Sequence, residues 1–373
     1  MENPLKYFAE LRDPRVERNR EHLLEEVLLI AIAAVLSGAE SWNDIADYGE
    51  AKLAWLKTFL TLPSGIPSHD TFNRVFAALD PEQLEKGFVA WVGSIAKLTA
   101  GEVVAIDGKA LRGTREPGKK AIVHMVSAWA EGNGLVLAQR KVDEKSNEIT
   151  AIPKLLEALE LTGTVVTIDA MGCQRNIAAG IVAKKADYIL AVKDNQGNLL
   201  GGIRDSFQML AADAVEEEID CGHGRVERRT CSVIADLSLV EKAAEWPSLQ
   251  ALVRVQAERY HKPTGKTERE TRYYITSLQP HAAPINRAIR KHWGIENKLH
   301  WALDVGFGED LSRKRAGHSA QNFSLLNRIA LNILKQDQSS KRGIKGKRLN
   351  AAWDHPYLLK LLGIDNVGYF SHI

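Results

Sequence analysis

Two short apolar runs, Val103-Val104-Ala105-Ile106 and Val165-Val166-Thr167-Ile168, each end on an aspartate, Asp107 and Asp169, followed by a turn of small residues. Runs of this kind, β-branched and apolar at nearly every position, read as strands covered on both faces, so the chain must build a sheet with helices layered against it. An acid at the end of such a strand then stands at the strand's carboxyl end rather than in the core. Further strands are expected at 122–129 and 135–142, close together as in an antiparallel meander, and at 188–192. Helical spacing over 148–161 and 174–185 separates the later strands, which is parallel α/β order. The reading is an α/β fold with a mixed five-stranded sheet flanked by helices, three strands antiparallel and two joined by crossovers.

Residues 1–100 carry helical periodicity instead, over 21–37 and 45–60, and Pro63-Ser64-Gly65 marks a turn. Ser68 and the run Asp80-Pro81-Glu82-Gln83 are start signals for two more helices. An all-helical N-terminal domain is expected. The segment from Ser68 to Arg74 fits either a helix-turn-helix that enters a DNA groove or an ordinary bundle helix. Residues 197–280 lose the α/β alternation and show strand patterns at 214–219, 225–235, 252–261 and 268–276, a β-rich insertion within a second domain, 101–373. Helical periodicity returns over 283–303 and 318–336.

Composition excludes several classes. With 373 residues, 45% hydrophobic and 26% charged, the chain is neither disordered nor fibrous and is long enough for two or three structural units. Three scattered cysteines, Cys173, Cys221 and Cys231, make no disulfide framework, so a cytoplasmic location is expected. The longest apolar run, 27–36, is about half of what a membrane span requires, so no membrane partner is expected. Gly265-Lys266-Thr267 lacks the upstream glycine of a phosphate loop, Tyr260 standing there, so no nucleotide cofactor is expected. Charge is unevenly spread. Residues 281–373 hold 15 Lys and Arg against 7 Asp and Glu, whereas residues 1–100 hold 10 against 15. A basic end suits a polyanion partner, and a solvated lysine-rich tail gives the same count.

Two acids ending two strands of one sheet can share a divalent cation, because neither tolerates the other's charge without one. Magnesium is implied, with manganese as its substitute. Taken alone, each aspartate fits a turn or helix cap equally well. Two-metal phosphodiester chemistry needs a third carboxylate, and the candidate is Glu296, within His292-Trp293-Gly294-Ile295-Glu296-Asn297. His292 and His300, four residues to either side, gather polar groups on its helix face. The plainer reading pairs Glu296 with Arg290 or Lys298, and Asp304, Glu309 and Asp310 rival it as the third acid.

These motifs, together with Leu111-Arg112-Gly113, Asp169-Ala170-Met171, Ala191-Val192-Lys193-Asp194-Asn195-Gln196 and Leu303-Asp304-Val305, resemble the H-repeat-associated group of DDE transposases of bacterial insertion sequences. The resemblance covers nearly the whole chain. It implies a ribonuclease-H-like catalytic core in which Asp107, Asp169 and Glu296 bind two magnesium ions, water attacks first, and the freed 3′-hydroxyl attacks next. The implied partners are double-stranded DNA, as element ends and as target, and a second protomer in the synaptic complex. The chain departs from the wider superfamily around the glutamate, where a Tyr, an Arg and a Lys are usual: Ile289, His292 and Leu303 occupy those positions. Arg290, His292 and Lys298 are candidates to replace them, and Lys109, Lys193 and Asn195 are candidates to hold the DNA backbone. The other readings are a metal-dependent nuclease on the same core without strand transfer, and a catalytically silent DNA-binding protein.

Overall fold

The computed structural model describes residues 2–115, 122–143, 147–222 and 224–364, so Met1, residues 116–121 and 144–146, His223 and residues 365–373 of the two expected domains lie outside the described residues. The opening helices follow their caps. α1 (Leu24–Leu36) is buried from Glu26 to Leu36, which accounts for the apolar run. Among the described residues no helix is long and apolar enough to cross a membrane. α2 (Trp42–Leu56) starts at a capping box of Ser41 and Asp44. The Ser68 side chain accepts from the Thr71 amide to start α3 (His69–Ala78), and Asp80 accepts from the Glu82 amide to start α4 (Pro81–Ile95). α3 buries Phe72, Val75 and Phe76 and leaves His69, Asp70 and Arg74 outside.

The expected meander is β1 (Val103–Leu111), β2 (Val123–Ala130) and β3 (Leu135–Lys141), paired antiparallel. α5 (Glu148–Glu157) leads to β4 (Val165–Ile168), and α6 (Arg175–Ala183) to β5 (Asp187–Val192); β4 lies parallel to both β1 and β5. After α7 (Gly197–Met209) come β6 (Ala214–Gly222), β7 (Arg225–Ile234), β8 (Ala251–His261) and β9 (Lys266–Thr276). The segment expected as an insertion continues the core sheet. β9 pairs antiparallel with β5, giving one nine-stranded sheet in the order β3-β2-β1-β4-β5-β9-β8-β7-β6. The physical reason is the edge: the outer side of β5 would otherwise present a row of unpaired amides and carbonyls.

α8 (Ala282–His292) crosses one face of this sheet, where Val103, Val165 and Ile189 pack with Ile285, Ala288 and Ile289. A π-helical turn (Ile295–His300), α9 (Trp301–Phe307), α10 (Ser319–Gln336), α11 (Ile344–Trp353) and α12 (His355–Leu362) complete the chain. On the other face, Val104, Ile106, Val166, Ile168 and Leu190 enter a larger core shared by the opening helices, α5, α6 and α10. Residue 100 therefore divides two textures while the core runs through both. Trp42 stacks on Phe76 and meets Phe323 edge-on, each at 4.9 Å between ring centroids, and the Asn322 amide donates to the carbonyls of Phe76 and Leu79.

Part of the basic excess at the end of the chain is structural rather than a solvated tail. Lys347 is buried and donates to the carbonyls of Leu334 and Asp337. Arg348 is buried and donates to the carbonyl of Val35 in the last turn of α1 and to that of Ala39 just beyond it.

Candidate active site

Strand register brings the two aspartates together. β1 and β4 pair in parallel from Val103 with Val165 to Ile106 with Ile168, so the next step sets Asp107 beside Asp169. Both stand four residues beyond Val103 and Val165, and the two-residue alternation of a strand aims them to the α8 face. By the same count Lys193, six residues beyond Asp187 in the neighbouring strand, shares that face. Asp107 does not end its strand. β1 continues to Leu111 because β2 goes on pairing with it, Asp107 opposite Ser127 and Lys109 opposite Met125, after β4 has stopped. Asp169 does end β4, and its Oδ1 accepts the amides of Met171 (3.1 Å) and Gly172 (3.4 Å), which fixes the carboxylate against a short turn. It both caps a turn and faces the cleft.

Glu296 arrives from the opposite wall, on the π-helical turn. Such turns insert an extra residue into a helix and re-aim the side chains around it. Ile295 and Leu299 anchor the turn in the core while Glu296 stays exposed. Gly294 keeps the approach close: a Cβ there would lie 2.0 Å from an oxygen of Glu131, which also pairs with Lys298 and accepts from the Trp129 indole (2.8 Å). Asp107, Asp169 and Glu296, with Lys193, His292 and Trp293, line one cleft of about 200 Å³.

The electrostatics of this cleft are those of acids without enough cations. Burial, with the carboxylates of Asp169, Glu148 and Glu296 nearby, pushes the Asp107 carboxyl up to about 7. His300, whose Nδ1 lies 3.7 Å from Asp107, does not balance it: burial, with Arg328 and Lys109 adding to it, holds its imidazole down at about 3 and so neutral. His292 is likewise lowered by burial, and its Nδ1 lies 2.9 Å from the Thr167 hydroxyl. Among the described residues no three His, Cys, Asp or Glu side chains already stand close enough to cage an ion. The donor chemistry nevertheless fits a hard divalent cation, because carboxylate oxygens converge on the cleft and repel one another in its absence.

The expected DNA-contact residues are placed unequally. Lys109 is buried, its Nζ 2.6 Å from Asp304 and 2.9 Å from Asp310, so two of the rival acids are engaged with it. Arg290 pairs with Glu218 and Asp220, and Lys298 with Glu131. Asn195 donates to the Ala170 carbonyl (2.7 Å), tying the turn after β5 to the turn after β4. Lys193 is exposed on the cleft and forms no ion pair among the described residues.

Sequence reasoning missed Glu148, the first residue of α5. Burial and the charge of Asp169 raise its carboxyl above the usual range, and only a glycine at 108 leaves it room: a Cβ there would lie 1.9 Å from its Oε1. Glu148→Gln is therefore expected to lower the Asp107 pKa, read by the pH dependence of Asp107 carboxyl resonances, because one of the charges opposing ionisation is gone.

Comparison with known proteins places this fold and cleft in a class, the DNA transposases. The model of the transposase DDE domain matches residues 99–333, and that of the DDE_Tnp_1-associated region matches residues 5–92. YncI of Escherichia coli O157:H7 is 40% identical over 367 residues, covering 96% of this chain and 94% of its own. YhhI of Escherichia coli K12 is 38% identical over 367 residues, covering 96% and 97%. Both are described as putative transposases, YhhI as H repeat-associated. A solved structure of the piggyBac transposase synaptic complex with hairpin DNA aligns over 96% of this chain and 76% of that one, with 10% identity and a TM-score of 0.41. The chain belongs to the DDE transposase family, among its H-repeat-associated members.

Proposed function

We propose that this transposase cuts DNA at the ends of its own insertion sequence and joins the freed ends to target DNA, with Asp107, Asp169 and Glu296 as the ligands of two magnesium ions or of manganese in their place. The observation that carries the proposal is the register that sets Asp107 beside Asp169 facing Glu296, with the Asp107 carboxyl lifted to about 7. Divalent ions held by these three carboxylates would lower the pKa of an attacking hydroxyl and offset charge on the leaving oxygen.

The chain's own residues do the rest. Asp107 gives up its proton to become a ligand, and the turn amides on Oδ1 hold Asp169 in a single orientation. Lys193, on the same face as the aspartates, supplies a positive charge for the backbone phosphate entering the cleft. Neutral His292, buried against Thr167, shapes the wall beside Glu296. Two element ends must be held at once, which calls for two protomers.

The test is cleavage and joining by the purified protein on DNA bearing its element's ends, with magnesium, beside Asp169→Asn. The variant is expected to lose at least about a thousandfold in cleavage, roughly 4 kcal/mol of barrier, while still binding that DNA. Cutting without joining by the wild type would favour the nuclease reading. Binding without either step would favour the silent binder.

A further inference from the structure

Beside the catalytic cleft lies a second, larger cavity of about 510 Å³, on the face of β7, β8 and β9 beyond the end of α8. Its walls carry Arg225, Arg229, Arg259, Arg272 and Arg290, against two lining acids, Glu227 and Glu268. The arrangement follows from strand alternation. Arg225, Glu227 and Arg229 share one face of β7, and the register sets Arg225 opposite His261 and Glu227 opposite Arg259.

Three of the five arginines are already held by carboxylates: Arg259 by Glu227, Arg272 by Glu270 and Arg290 by Glu218. Arg225 and Arg229 form no ion pair among the described residues. Arg229 is the informative one. It is only 7% exposed, its Nε donates to Asn286 (2.8 Å), and its Nη2 has no hydrogen-bond partner. Glu227 lies near enough to be felt but not to pair, and a buried guanidinium with neither an ion pair nor a full set of acceptors is costly unless something anionic completes it. The cavity also opens toward the chemistry. Arg272 and Trp293 line both spaces, with the Arg272 guanidinium 4.6 Å from the centre of the Trp293 ring.

We propose that this cavity is a phosphodiester-backbone site, which takes the phosphates of the DNA strand flanking the bond being cut. Guanidinium forks match phosphate oxygens two at a time, and Arg225 and Arg229 offer forks not engaged by protein carboxylates. The inference rests on the reading that the chain acts on DNA.

The experiment uses the full chain and a duplex carrying the element's end, with affinity measured from about 50 to 200 mM salt. Arg225→Gln, at an exposed position, is expected to lower the slope of log affinity against log salt by about 0.9, the share of one neutralised phosphate. Arg229→Gln, with folding checked by circular dichroism, is expected to do the same. Lys184→Gln, at the end of α6 against the other face, should leave the slope unchanged. If the wild type binds and all four slopes agree, the cavity assignment is overturned while the transposase reading stands. If the wild type shows no DNA affinity at any salt concentration, both fall.

Discussion

Asp107→Asn is expected to abolish cleavage and, in metal-free buffer above pH 7, to make the protein more stable than the wild type. The Asp107 carboxyl sits at about 7 in the fold against an ordinary 3.8, so the folded state takes up a proton over a range where the unfolded chain does not. Its contribution to stability is fully present below about pH 4 and is lost as pH rises through 7. Three units correspond to about 4 kcal/mol as an upper bound, for a side chain that is 18% exposed. Asparagine keeps the shape and removes the charge. The variant should melt a few degrees higher than the wild type at pH 8, with a flatter pH dependence between 4 and 7. Magnesium should raise the melting temperature of the wild type by binding the folded state, and raise that of the variant little. A variant that melts lower than the wild type at pH 8 without metal would refute the account of the cleft as an under-neutralised acid cluster.

Glu309→Gln should be costly although it lies outside the cleft. Arg328 and Glu309 are 0% and 2% exposed and meet at 2.6 Å, with the Ser324 hydroxyl bonded to both. Removing one charge strands the other in the core, at about 3–5 kcal/mol. Urea unfolding of Glu309→Gln, Arg328→Met and the double variant Glu309→Leu with Arg328→Met measures the pair. Most of the loss should return in the double variant, since a matched apolar pair has no charge to solvate. A single variant within about 0.5 kcal/mol of the wild type, the range of an ordinary surface change, would contradict this. Catalysis should suffer as well. The neighbouring Asp310, with Asp304, holds Lys109 two residues beyond Asp107, so loosening this segment loosens β1 at the cleft.

The strands and their acids were legible because their signals are local: an apolar run and the acid after it sit in one stretch of chain. Elements whose cause is distant were not. Gly108-Lys109 reads as a turn, and only its pairing with Met125 and Val126 shows that β1 continues. Lys109 looks like a DNA contact until Asp304 and Asp310, remote in sequence, fold against it. Glu148 looks like an ordinary first-turn acid of a helix, and its place over Gly108 depends on how α5 packs on the sheet. The four later strands were legible as strands, but their attachment to β5 is a matter of register between β5 and β9 that periodicity does not carry.

The sharing of one core between the opening helices and α10 bears on how the chain is made. Synthesis proceeds from the first residue, yet the apolar surfaces of Trp42, Phe76 and Leu79 are closed by Phe323 and Asn322, and α1 by Arg348. On the ribosome, those surfaces wait until α10 and α11 have emerged, roughly 300 residues after α1. The opening helices therefore acquire their native packing only once α10 and α11 are made, and a product terminated before α10 is left with a sticky, half-closed core.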